Sequence, residues 1–167
     1  MGTLRKQAPF LAIVILVVLA DQVTKAWVTA TMNLYESIPV IPGLFSITYV
    51  RNPGAAFGFL AGASPHIRLV FFVAVTLLAI GLILYSLVRE RFIQASWRTP
   101  LVLILSGALG NLADRIRFGE VIDFLDLYVG SVHWPAFNVA DSAITVGAVL
   151  LTILAFRGEK DALETGS

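Results

Sequence analysis

The stretch FGEVIDFLDLYVGSVHWPAF, residues 118–137, runs directly into an apolar segment that opens NVADSAITVGAVLL at residues 138–151. Asp141 lies near the start of that segment, and residues 142–156 after it contain no charged residue. An ionisable side chain near a bilayer centre costs roughly 2.5–3.5 kcal/mol, so its presence indicates a functional site. Asp123 is the second carboxylate of interest, and the remaining chain is interpreted as a scaffold that brings the two together.

The composition is that of an integral membrane protein. Of the 167 residues, 57% are hydrophobic and 14% are charged, whereas soluble domains carry about 25% charged residues. The net charge of +1 argues against a nucleic-acid partner. The chain has no cysteine and two histidines, which excludes disulfides and thiol chemistry and disfavours a polyhistidine metal site. We expect no metal and no cofactor.

Four apolar segments approach the length of about 20 residues that a membrane-spanning helix needs. They cover approximately residues 9–28, 67–88, 99–115 and 137–156. The sequence therefore predicts an all-α membrane protein with four transmembrane helices in a single domain, residues 1–167. The first segment also has the composition of a cleavable signal peptide, but the three further spans favour a retained first helix.

The distribution of Lys and Arg predicts the orientation of the spans, because basic residues concentrate in short cytoplasmic loops. Basic residues flank the predicted spans at one membrane side: Arg5, Lys6, Arg89, Arg91, Arg98, Arg157 and Lys160. Both termini are therefore predicted to be cytoplasmic, and the loops 31–66 and 118–135 to face outward.

The first outward loop contains a strand pattern. SIPVI at 37–41 and LFSITYV at 44–50 are short β-like runs separated by the turn pair Pro42-Gly43, which is typical of a hairpin. RNPGAAFGFLAG follows at 51–62. We expect a small β-hairpin or cradle at the outer membrane surface.

The polar residues of the spans share one depth. In the predicted topology they all lie at the outer ends of spans one, three and four: Asp21, Lys25, Asn111, Asp114, Arg115, Asn138 and Asp141. Bland interpretations exist for single residues. Asp21 and Lys25 have the i,i+4 spacing of a self-neutralising ion pair, Arg115 could snorkel to the interface, and Asn138 could be the N-cap of the last helix.

An aspartate pair is the remaining chemistry. There is no Gly-x-Ser-x-Gly elbow, and Ser142 has no nearby histidine in the sequence. Two carboxylates about 3 Å apart share a proton and have separated pKa values. The ionised member can deprotonate a water molecule while the protonated member polarises a carbonyl group. The residues therefore predict aspartic-peptidase chemistry just below the outer surface, with Asp126 as an unrelated carboxylate.

Five strings along the chain resemble the signature motifs of lipoprotein signal peptidases, the type II signal peptidases of bacteria. They are DQVTK at 21–25, RNPGAAFGFL at 51–60, GNLADR at 110–115, VIDF at 121–124 and FNVADSAITVG at 137–147. The order of the motifs and the four-span architecture also match that family.

The resemblance implies that Asp123 and Asp141 are the catalytic pair. It further implies substrate-binding or supporting roles at the other motif positions: Asp21, Lys25, Asn52, Gly54, Asn111, Asp114, Arg115, Asn138 and Ala140. Members of that family cleave diacylglyceryl-modified prolipoproteins on the amino side of the lipidated cysteine, in the bacterial cytoplasmic (inner) membrane. Globomycin-type cyclic peptides inhibit them. The implied partners are thus lipidated prolipoproteins, membrane lipid and such inhibitors.

A small proton-coupled transporter is the alternative function. Asp21, Lys25, Asp114 and Asp141 would then form a proton relay. The inner portions of the spans carry no charged residue that would continue such a path, and no inverted repeat of the kind found in many carriers is visible. Both observations favour the peptidase.

Overall fold

The structure is a computed structural model that describes residues 2–54, 62–89 and 95–165. The predicted Gly- and Phe-rich run lies largely outside these residues, at 55–61, as does Arg91. The side chains of Arg5, Lys6 and Lys160 are outside the described part as well.

Four long helices and four strands make up the described chain. The helices are α1 (Gly2–Thr31), α2 (Pro65–Val88), α3 (Arg98–Phe118) and α4 (Val139–Thr165). The strands are β1 (Ser37–Ile41), β2 (Phe45–Asn52), β3 (Val121–Val129) and β4 (Val132–His133). The helices coincide with the four predicted apolar segments and extend most of them by several residues.

Three of the four helices are long and apolar enough to cross a membrane. Within the described residues these are Gln7–Thr31 of α1, Pro65–Val88 of α2 and Val139–Arg157 of α4. Helix α3 was predicted as the remaining span but is not among them. The reason is its composition, because polar and charged residues such as Asn111, Asp114 and Arg115 interrupt the apolar sequence of α3.

Close packing between α3 and α4 depends on glycine. A Cβ atom on Gly107 would overlap the backbone carbonyl oxygen of Ala140 and the side chain of Ile144. A Cβ atom on Gly110 would overlap the carboxylate of Asp21. Small residues let membrane helices approach closely, so these two glycines bring α1, α3 and α4 together around one point.

The strands form one antiparallel sheet in the order β1-β2-β3-β4. The predicted hairpin is confirmed: β1 and β2 pair with Ile41 opposite Phe45, and Gly43 in the turn between them has φ +85°. Strand β2 also pairs with β3, placing Val50 opposite Asp123 and Asn52 opposite Val121. The sheet is thus twice the size of the predicted hairpin.

The segment 118–135, predicted as the outward connection between spans three and four, contains a strand that the sequence analysis did not predict. Residues Val121–Val129 form β3, and Gly130 and Ser131 connect it to β4. Residues 121–124 are all buried, because both faces of the strand start are covered. Such a strand lacks the alternation of apolar and polar residues that marks a half-exposed strand.

The packing of α3 on α4 generates a stability prediction. Gly107→Ala introduces a methyl group against the backbone of α4, and we expect it to lower the free energy of unfolding by about 1–3 kcal/mol. The matched control is Gly81→Ala in α2, where a Cβ atom meets nothing within 4 Å, and where alanine favours the helix by up to about 1 kcal/mol. Thermal unfolding in detergent measures both, and equal stabilities would contradict the packing assignment.

Candidate active site

Asp123 is held on β3 by two side-chain amides. Asn52 Nδ2, at the end of β2, donates to Asp123 Oδ2 at 2.9 Å, and Asn138 Nδ2 donates to Asp123 Oδ1 at 2.7 Å. The side chain of Asp123 is 2% exposed. Both carboxylate oxygens of this buried side chain are therefore satisfied by neutral donors.

Asp141 belongs to the cap of α4. Asn138 Oδ1 accepts a hydrogen bond from the Asp141 backbone N–H at 2.8 Å, and the Asn138 backbone N–H donates to Asp141 Oδ2 at 3.3 Å. This reciprocal pattern is a capping box, as the three-residue spacing predicted. The other oxygen, Asp141 Oδ1, accepts from Asn111 Nδ2 at 2.7 Å.

Asn138 consequently contacts both carboxylate-bearing residues. Its amide nitrogen also lies 3.2 Å from Asn111 Oδ1 and 3.2 Å from the Ile122 carbonyl oxygen, and the side chain is fully buried. The strand that carries Asp123 and the helix that carries Asp141 are thus joined through one asparagine. Its predicted capping role is confirmed, and its bond to Asp123 is an addition that the sequence did not reveal.

A buried ion cluster lies beside this pair. Lys25 Nζ is 2.8 Å from Asp21 Oδ2, 2.8 Å from Asp114 Oδ2 and 3.1 Å from Asn111 Oδ1. The side chains of Lys25, Asp21 and Asp114 are 2%, 0% and 1% exposed. Gln22 Nε2 bonds both carboxylates, at 3.1 and 3.0 Å. Lys25 therefore has two carboxylate partners instead of the single i,i+4 partner that the spacing indicated.

Arg115 and Gly54 meet at Phe72 of α2. The Arg115 guanidinium lies 5.5 Å from the centroid of the Phe72 ring, a cation–π distance. A Cβ atom on Gly54 would overlap the same ring, and Gly54 has φ +87°. Its backbone N–H donates to Asn52 Oδ1 at 2.8 Å, so the turn after β2 orients the amide that holds Asp123.

Ala140 completes the set of predicted residues. It is fully buried, and its backbone N–H donates to Asp21 Oδ1 at 2.9 Å. Every predicted position thus lies in one connected region of the molecule. The residues that sequence reasoning missed are Gln22, which stands inside the DQVTK string, and Phe72, which nothing distinguishes from the other apolar residues of α2.

A large cavity opens beside Asp141. It has a volume of about 700 Å³, which lies within the 300–1,000 Å³ range of small-molecule sites. Its wall is mostly apolar and is formed by Asn52, Leu127, Trp134, Pro135, Ala136, Phe137, Asp141, Ser142, Thr145 and Val146. An extended apolar segment could therefore lie against α4 with Asp141 and Asn52 at its polar end.

Asp126 is separate from the pair. It lies three residues from Asp123 on the same strand, and side chains at odd spacings point to opposite faces. Its carboxylate contacts His133 Nδ1 at 2.9 Å, and the ring of His133 stacks on Tyr128 with centroids 4.7 Å apart. The sequence placed Asp126 outside the site, and its place in the sheet agrees with this.

Burial raises the pKa of Asp123 to about 7. The charge of Asp141 raises this pKa as well, whereas the hydrogen bonds from Asn52 and Asn138 and the charge of Lys25 lower it. A carboxyl group with such a pKa can hold a proton near neutral pH and release it readily. Among the described residues, no group of three or more His, Asp or Glu side chains is arranged to hold a metal ion.

Comparisons with known proteins define the class and then the family. A bacterial membrane enzyme solved by the in meso method at 2.3 Å resolution has a TM-score of 0.81 and 33% identity, covering 92% of this chain and 91% of that one. A second such enzyme, solved at 1.9 Å, has a TM-score of 0.77 and 34% identity, covering 89% and 92%. The fold is therefore that of a bacterial membrane enzyme.

The sequence relatives are more specific. The lipoprotein signal peptidase of Syntrophus aciditrophicus is 56% identical over 87% of this chain and 91% of its own length. The Geobacter sulfurreducens lipoprotein signal peptidase is 55% identical over 90% and 93%. Residues 13–157 match the family described as Signal peptidase (SPase) II. The chain belongs to this family, the lipoprotein signal peptidases, as the five sequence strings indicated.

The raised pKa of Asp123 predicts how stability varies with pH. The unfolded chain releases this proton near the ordinary pKa of 3.8, whereas the folded chain holds it to about 7. The folded state binds more protons within that window, so the free energy of unfolding should fall as pH rises from about 4 to about 7 and then level off. Asp123→Asn should make this slope shallower.

Thermal unfolding midpoints in detergent, measured across this pH range for the native chain and Asp123→Asn, test the prediction. Ser46→Ala is a matched control, because Ser46 is a buried polar residue of the neighbouring strand and does not titrate. Parallel pH curves for the native chain and Asp123→Asn would contradict the raised pKa.

Proposed function

We propose that this protein is an aspartic endopeptidase that removes signal peptides from diacylglyceryl-modified prolipoproteins, with Asp123 and Asp141 as the catalytic pair. The observation that carries the proposal is the junction at Asn138, which contacts both residues from between a strand and a helix. Family membership supports the substrate class, because the relatives are lipoprotein signal peptidases.

The chemistry follows from the state of the two carboxyl groups. Asp123, with its raised pKa, hydrogen-bonds the scissile carbonyl as the acid. Asp141 in its ionised form takes a proton from a water molecule, and the hydroxide adds to the carbonyl carbon. When the carbon–nitrogen bond breaks, the departing amine takes up a proton from the pair. Two products result, the signal peptide with a new carboxyl terminus and the lipoprotein with a free amine on its lipidated cysteine.

The cavity suggests how the substrate binds. A signal peptide is apolar, and the cavity is lined by Thr145 and Val146 of α4 and by Phe137, which precedes that helix. Asn52 and Asp141 line the same cavity, so a peptide lying in it would bring its bond to the carboxyl groups. Globomycin-type cyclic peptides would inhibit the enzyme by occupying this cavity.

The membrane arrangement is part of the same proposal. All four helices cross the bacterial inner membrane, both termini are cytoplasmic, and the sheet and the carboxyl pair face outward. Helix α3 crosses despite its polar residues, because Asn111 and Asp114 are buried against its neighbours. The exposed apolar side chains of α1, α2 and α4 supply the surface in contact with lipid.

Asparagine substitutions test the catalytic pair. Asp123→Asn and Asp141→Asn keep side-chain volume but cannot exchange the proton, so we expect each to lower turnover of a diacylglyceryl-modified prolipoprotein in detergent by about 10³-fold or more. Asp126→Asn, on the same strand, is the control and should retain near-native turnover. If Asp123→Asn or Asp141→Asn is well folded and retains near-native turnover, the substituted aspartate is not catalytic. If the native chain binds but does not cleave the substrate, the transporter alternative gains support.

Cysteine labelling tests the orientation, because the chain has no cysteine of its own. Ser131→Cys lies in the exposed turn between β3 and β4, and Ser96→Cys is exposed between α2 and α3. In intact spheroplasts, a membrane-impermeant maleimide should label Ser131→Cys and leave Ser96→Cys unlabelled until the membrane is permeabilised. The reverse pattern, or equal labelling of both, would contradict the proposed topology.

A further inference from the structure

Lys25 has a contact pattern that a simple ion pair does not need. Its ammonium group donates to Asp21 Oδ2 at 2.8 Å and to Asn111 Oδ1 at 3.1 Å, and it forms an ion pair with Asp114 Oδ2 at 2.8 Å. The side chain is 2% exposed. Neutralising a lysine for membrane insertion would need one carboxylate, and Asp21 at i−4 would provide it.

The two carboxylate partners of Lys25 also bind the backbone of the residues that directly precede Asp123 and Asp141. Asp21 Oδ1 accepts from the backbone N–H of Ala140 at 2.9 Å, and Ala140 precedes Asp141. Asp114 Oδ2 accepts from the backbone N–H of Ile122 at 3.2 Å, and Ile122 precedes Asp123. One ammonium therefore links the backbone at both carboxyl-bearing residues.

The third partner of Lys25, Asn111, bonds directly to the carboxyl group of Asp141. Asn111 Oδ1 accepts from Lys25, and Asn111 Nδ2 donates to Asp141 Oδ1 at 2.7 Å. The Lys25 bond to the oxygen fixes which end of the amide points at Asp141, since an ammonium group can only donate. Lys25, together with Asn138 Nδ2, which also donates to Asn111 Oδ1, thereby orients Asn111 to present a donor to Asp141.

This linkage matters because Asp123 and Asp141 lie on different segments. A misplacement of about 1 Å can lower a rate by about 10²-fold, and catalytic side chains require support from neighbouring hydrogen bonds. Without Lys25, Asp21 and Asp114 would be two buried like charges facing each other, and their repulsion would move the amides of Ala140 and Ile122 apart.

We propose that Lys25 is a positioning residue for the peptidase reaction, which sets the separation of Asp123 and Asp141 through Asp21, Asp114 and Asn111. The inference rests on the proposed function of the two aspartates. It assigns Lys25 no contact with the substrate.

The test combines truncation with chemical rescue. Lys25→Ala removes three methylene groups and the ammonium, which n-propylammonium can replace. A small cavity of about 70 Å³, lined by Lys25, Gln22 and Asp114, provides a route for the amine. We expect Lys25→Ala to lower kcat about 100-fold with little change in KM. We expect n-propylammonium to raise the kcat of this variant by at least about tenfold. Tert-butylammonium, which is too wide for the vacated channel, should not restore it.

A pH profile gives a second readout. The charge of Lys25 lowers the pKa of Asp123, so the alkaline limb of kcat against pH should move to higher pH in Lys25→Ala. The other charges that act on Asp123 are those of Asp141 on α4 and Arg115 on α3, and both remain in the variant. An unchanged limb would show that Lys25 is not electrostatically coupled to the carboxyl pair.

The matched control is Gly147→Ala. A Cβ atom there would overlap Ile104 and the carbonyl oxygen of Pro100, so it loosens the packing of α4 on α3 at a distance from Lys25. It should lower the thermal midpoint while the folded fraction keeps its kcat and does not respond to amine.

If Lys25→Ala does not fold, the double variant Lys25→Met with Asp21→Asn replaces it, because it removes one positive and one negative charge together. The proposal is overturned if a folded variant keeps kcat within about threefold of native, if only KM changes, or if n-propylammonium restores nothing to folded Lys25→Ala. If Asp123→Asn itself retains turnover, the proposed function fails, and this outcome is distinct from any result at Lys25.

Discussion

The site depends on holding two acidic side chains from different segments close to each other where little water is available. Repulsion between them would separate a strand from a helix unless neutral donors bind them. The side chain of Asn138 donates to Asp123. Asn138 also accepts from the backbone N–H of Asp141 and donates its own backbone N–H to the Asp141 carboxylate. Asn52 donates to Asp123 Oδ2, and Asn111 donates to Asp141 Oδ1. Three amides thus satisfy two carboxylates without neutralising them by a direct ion pair.

There is a chemical reason why Lys25 contacts neither Asp123 nor Asp141 directly. An ammonium bonded directly to Asp123 would stabilise its charged form and lower its pKa far below neutral. In the structure Lys25 bonds to Asp21 and Asp114 instead, and its charge acts on Asp123 from a distance. Burial consequently prevails, and the pKa of Asp123 rises to about 7. The cluster can therefore connect the helices while the pKa of Asp123 stays raised.

The sequence predicted the helices well and singled out residues that the structure brings together, for identifiable reasons. Charged residues within apolar segments are rare, so Asp21, Lys25, Asp114 and Asp141 stand out, and the Asn138 cap follows from spacing alone. Strand β3 was missed because a strand covered on both faces lacks alternation. The contacts of Lys25 with Asp114 and Asn111 could not be predicted either, since contacts between α1 and α3 depend on how closely Gly110 allows the helices to approach.

The polarity of α3 and the position of the carboxyl pair have a common explanation. Peptide hydrolysis consumes water, which the hydrocarbon core lacks, whereas an apolar signal peptide is most stable inside that core. A site that serves both must lie at the end of a span, with polar groups on the aqueous side and an apolar wall on the other. Asp141 stands in the first turn of α4, and the cavity beside it continues along Thr145 and Val146. The polar groups of α3 face its neighbours at this same end, and burial with hydrogen bonding reduces the cost of placing such a helix in a membrane.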